Sequence, residues 1–77
     1  MAKGYNGHRS WNAWNVSLWI NNDEGLYRLA VDFVTEARRH GGDLEAAARV
    51  LLAVLPTTTP DGARYNFTCV REALRGF

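Results

Sequence analysis

The sequence predicts a mostly α fold, a compact small domain of about four helices. Three observations predict it. Two long segments, residues 26–37 and 44–55, repeat apolar side chains at helical spacing. Capping residues precede both segments, and Gly41 and Pro56 close them. Finally, 47% of the 77 residues are hydrophobic and 12% aromatic, enough to fill the thin core that so short a chain can build. One domain is expected, with residues 1–9 as a loose N-terminal arm and residues 10–77 as the globular body.

The first element admits two readings. The stretch "SWNAWNVSLWINND" holds all three tryptophans, Trp11, Trp14 and Trp19. Ser10 is placed to cap a helix. Trp11, Trp14 and Leu18 make one helical stripe, and a chain this small needs the bulk of Trp11 and Trp14 in its core. Trp14, Val16, Leu18 and Ile20 instead alternate as a strand does, which turns Trp19 outward. Aromatic and β-branched residues favour strands, so a short strand pair through residues 14–20 and 64–68 is the alternative. In the second of these segments Tyr65 and Phe67 alternate with polar residues. The rest of the chain offers no convincing partner for a strand at residues 14–20, and a helix over residues 11–21 is preferred.

The second helix follows "NND". Asn21 or Asn22 is its expected cap, and Asn21 with Glu24 has capping-box spacing. Asp23 and Glu24 fall in its first turn, where carboxylates suit the helix dipole. Leu26, Ala30, Phe33, Val34 and Ala37 form its inward stripe, widened by Tyr27 and Val31. Arg38, Arg39 and His40 suit its negative end, and Gly41 its left-handed stop. Asp43 caps the third helix, which turns Leu44, Ala47, Ala48, Leu51, Leu52 and Leu55 inward. Residues 56–66 read as a surface loop with a turn at Asp61-Gly62. The last helix has Thr68 as its cap, Val70, Ala73 and Leu74 inward, and Gly76 at its stop.

Nine Lys and Arg stand against eight Asp and Glu, a net charge of +1. That balance excludes a generally basic nucleic-acid binder and an overall acidic DNA mimic, unless the charges are segregated onto separate faces. The single Cys69 can form no internal disulfide and no zinc site, and suits a small buried hydrophobe in a reducing cytoplasm. No apolar run approaches the ~18 residues of a membrane span, and "MAKGYNGHRS" has no signal-peptide character. A cytoplasmic protein, in the host cell, is expected.

Catalytic equipment is not expected. His8 and His40 have no ligand-spaced partner. Ser10, Ser17 and Cys69 sit in no nucleophile motif, and "GYNG" and "RHGGD" lack phosphate-loop spacing. The expectation is a protein that is not an enzyme, with no catalytic residue, no cofactor and no metal. Binding residues are better candidates. Asp32 and Glu36 share one face of the second helix, with Arg28 and Arg39 within ion-pair spacing. With Asp23 and Glu24 they suggest an acidic docking face. Arg38 and Arg39 make a short basic cluster at the helix end, and Trp19 is the candidate exposed aromatic.

Residues 11–27, "WNAWNVSLWINNDEGLY", resemble a signature of small proteins carried by phages, prophages and plasmids, N-x-x-T-W-N-V-x-L-W-I-x-N-D-E-x-L-Y. The match runs over about residues 5–34 and departs at Ala13, where the pattern has threonine. The resemblance implies mobile-element cargo. Inhibitors of host defence, anti-CRISPR and antirestriction proteins among them, are enriched in that setting and act by stoichiometric binding. It therefore implies an inhibitor that binds a host defence complex, most of all a CRISPR effector subunit, and blocks its recognition of target DNA. The binding residues would be Asp23, Glu24, Asp32, Glu36, Trp19, Arg38 and Arg39, on a monomer or weak homodimer. The alternative is a small nucleic-acid-binding accessory protein that uses Lys3, Arg28, Arg38 and Arg39.

Overall fold

The computed structural model describes residues 8–77, so most of the expected arm, with Lys3, lies outside the described residues. Four α-helices follow one another: α1 Trp11–Asn22, α2 Glu24–Arg39, α3 Leu44–Val54 and α4 Phe67–Ala73. A 3-10 turn, Leu74–Gly76, continues α4. The protein is a small, mostly helical domain, as its periodicity predicts.

Each helix opens on a side chain that accepts from an otherwise unpaired backbone N–H. Ser10 Oγ accepts from Ala13 at 3.1 Å and Asp43 Oδ1 from Ala46 at 3.0 Å, as expected. The other two caps are corrections. α2 is capped by Asp23, whose Oδ1 accepts from Leu26 N at 3.0 Å, not by Asn21 or Asn22. The reason is that α1 runs on through Asn22, which leaves both asparagines inside it. Asp23 closes α1 as well, donating its backbone N–H to Trp19 O at 3.0 Å. α4 is capped by Asn66, not Thr68, with Asn66 Oδ1 accepting from Cys69 N at 2.8 Å. Asn66 is extended there (φ −128°, ψ 166°), so Thr68 falls within the first turn, already inside the helix. The helical run does end at Gly76, but its last turn, from Leu74, is 3-10 and not α. Gly41 does take the left-handed conformation, at φ 77°.

The strand alternative fails. Residues 14–20 are helical, and Arg64 makes one isolated antiparallel bridge, to Thr58 within its own loop.

α1 packs on α2 and α4, and α3 packs on the other side of the same two helices. Their shared core holds Val16, Ile20, Ala30, Val34, Ala48, Leu51, Val70 and Leu74. α3 and α4 bury the faces expected of them, and Cys69 is a buried free thiol. In α2 the centre of the stripe is buried, but Tyr27 and Val31 are exposed rather than part of a widened core. The core role of Trp11 and Trp14 is also corrected. Trp11 is 40% exposed and Trp14 half-buried. The buried stripe of α1 is Ala13, Val16 and Ile20, which has the same i, i+3, i+7 spacing. Ala13 and Val16 are small enough to let α1 and α4 approach closely, and a ring in their place would overfill so thin a core.

Candidate interaction surfaces

One side of α1 grips the loop of residues 56–66. Asn12 pairs with both backbone groups of Arg64, donating to its carbonyl at 2.9 Å and accepting from its N–H at 2.8 Å. Asn15, 1% exposed, donates from Nδ2 to Asp61 Oδ2 at 2.9 Å and accepts at Oδ1 from the Thr59 hydroxyl at 2.6 Å. Thr59 Oγ1 in turn accepts from the backbone N–H groups of Asp61 (3.2 Å) and Ala63 (3.1 Å). Trp19 Nε1 donates to the same Asp61 Oδ2 at 2.9 Å. These donors, Asn15 first and Trp19 second, hold the Asp61 carboxyl below its ordinary pKa. Trp19 is thus half-buried, and its polar edge is committed to the fold.

With core on one side of α1 and loop on another, Trp11, Trp14 and Leu18 share the third, since they fall within about 60° of one another at 100° per residue. Trp11 is exposed, and the other two are half-buried. Trp14 and Leu18 border a shallow hollow of about 200 Å³ with His8 and Asn21. The sequence alone predicts Trp11 and Trp14 of this ridge as core. The competing stripe of Ala13, Val16 and Ile20 was the signal that could have placed it outside.

The outer face of α2 carries Glu24, Arg28, Asp32 and Glu36 at every fourth residue, with Arg39 among them. Arg28 pairs with Glu24 at 3.0 Å, while Glu36 meets Arg39 at 3.5 Å and the His40 ring at 2.8 Å. The face is a ladder of three carboxylates against two guanidiniums. Asp23 stands apart from it, its carboxylate occupied as the cap. Arg38 lies on the opposite flank, in an open pocket of about 400 Å³ with Asn21, Tyr27, Thr35 and Phe77. It has no ion pair among the described residues. The Tyr27 and Phe77 rings meet there at 5.2 Å.

Among the described residues no three His, Cys, Asp or Glu side chains converge as a metal site, and no helix is long and apolar enough to cross a membrane. The arrangement offers surfaces: an aromatic ridge, a charge ladder, and a pocket with one unpaired cation.

The chain belongs to the family of unknown function DUF7249, whose model matches residues 1–74. No curated protein and no solved structure matches it.

Proposed function

We propose that the protein is a non-enzymatic inhibitor carried by a phage or other mobile element. It binds a host defence complex in the host cytoplasm, a CRISPR effector foremost, and blocks recognition of target DNA. The observation that carries the binding role is the ridge of Trp11, Trp14 and Leu18, turned away from the core. Binding energy concentrates on a few large anchors, and tryptophan is the residue most enriched among them. The ladder on α2 supplies charge that steers and orients such a contact. The choice of a defence complex rests on the resemblance of residues 11–27 to mobile-element proteins.

The exposure of Trp11 near Arg9 also suits the nucleic-acid reading, in which a ring stacks on a base beside a cation. Three of the cations near these surfaces are already engaged: Arg9 with Glu72 at 2.8 Å, Arg28 with Glu24 and Arg39 with Glu36. That favours a protein partner.

Phage plaquing on hosts with different defence systems, with and without this gene, tests the proposal. Rescue in a CRISPR host, lost on Trp11→Ala with the fold intact, supports it. Equal plaquing in every host sinks it. A mobility shift of free DNA that weakens steeply with salt would instead favour the accessory reading.

A further inference from the structure

α3 departs from the rule that a surface helix keeps a polar outer side. Of its eleven residues, LEAAARVLLAV, only Glu45 and Arg49 are charged. Both lean toward α4. Glu45 accepts from Arg71 at 3.5 Å, and the Arg49 guanidinium stands 5.4 Å over the Phe67 ring. Ala46, Val50, Ala53 and Val54 are left exposed, Val50 at 51% and Val54 at 56%. Beside them an open groove of about 370 Å³ runs between α2 and α3, lined by Phe33, Ala37, Ala46 and Val50. Leu29, 36% exposed, extends the apolar strip one turn back from Phe33.

We infer that this α2–α3 face is a dimer interface and that its occupant is the same face of a second copy of this chain. Shape supports a second copy. The face carries knobs, Val50 and Val54, next to notches at Ala46 and Ala53. An antiparallel, two-fold pairing about Val50 sets Val54 of each copy against Ala46 of the other, knob to notch. Charge supports it as well. The carboxylate that lines the groove, Glu36, is already paired with Arg39 and His40. Area sets the strength. The face is about 16 Å long, from eleven residues at ~1.5 Å each, and roughly 20 Å wide across two helices. Two such faces cover roughly 640 Å² together, below the ~1,200 Å² of a stable interface and in the range of weak contacts. The dimer is therefore weak and transient. The face is separate from the α1 ridge, so the dimer stands or falls apart from the inhibitor reading.

Sedimentation velocity of the full chain, from about 1 µM to about 1 mM, covers micromolar to millimolar association and tests it. The expected result is reversible dimerisation whose Kd rises at least tenfold, by about the weight of one central anchor, in Val50→Glu. If Val50→Glu loses its helical circular dichroism, Ala53→Arg on the same exposed strip gives the same reading. A chain monomeric throughout, or a dimer unmoved by these substitutions, overturns the inference. So does a monomeric chain whose capture of a host complex is lost in Val50→Glu, because the occupant would then be the target.

Discussion

The Asn15 side chain is the point where the loop of residues 56–66 is tied to α1, and Asn15→Ala cuts it. Two bonds go. The Thr59 hydroxyl loses the acceptor of its proton, at a residue only 2% exposed. An orphaned buried donor costs about 1–3 kcal/mol. The bond to Asp61 also goes, but Asp61 is exposed and water replaces it. The truncated amide leaves a small void that adds to the loss, for a total of about 2–3 kcal/mol. A domain of this length holds roughly 4–12 kcal/mol in all. At roughly 4–8 °C per kcal/mol, Tm should fall by about 8–24 °C. Thermal unfolding followed by circular dichroism measures it, with the exposed Asn22→Ala as a control expected to stay within about 0.5 kcal/mol. A double-mutant cycle with Thr59→Val should return a coupling above about 0.5 kcal/mol, because the two groups touch. An Asn15→Ala protein as stable as the control would show that the clamp contributes nothing and that the reasoning is wrong.

Three further outcomes are expected. The Asp61 carboxyl has a folded pKa below its unfolded value, so its contribution is present above the unfolded value and is lost as pH falls through the folded one. Urea midpoints measured down an acid series should therefore fall less steeply in Asp61→Asn than in the parent. The Tyr65 phenol is raised, by burial first and by the Asp23 charge second, so its contribution is present below the ordinary phenol range and is lost as pH rises through the folded value. Tyr65→Phe should flatten the alkaline limb of the same curve. Gly41 holds φ 77° with nothing within 4 Å of the space its Cβ would occupy, so Gly41→Ala should cost only backbone strain, about 1–2 kcal/mol, read as a lower urea midpoint.

α2 and α3 were legible because their inward stripes and stops are local properties of the chain. The buried side of α1 was not. Trp11–Trp14–Leu18 and Ala13–Val16–Ile20 have one and the same spacing, and the choice between them is made by α4 and by a loop more than forty residues away. The caps differ from expectation where several competent residues stand together. In "NND" the cap is the residue at which the preceding helix runs out, and only the structure fixes that point. The carboxylates and arginines of α2 were legible as one helix face, but their pairing was not. Arg28 has a carboxylate four residues before it and another four after. It takes Glu24, the one on its N-terminal side, which is the orientation the helix dipole favours.

The corner at Asp23 has a consequence for everything displayed on either side of it. One residue ends α1 with its backbone and begins α2 with its side chain, so the turn contains no slack. An insertion of a single residue there would separate the backbone bond that closes α1 from the side-chain cap that opens α2. The bearing between the α1 ridge and the α2 ladder is therefore held at one position of the chain. A partner that spans both surfaces would be sensitive to a change at a residue it never touches.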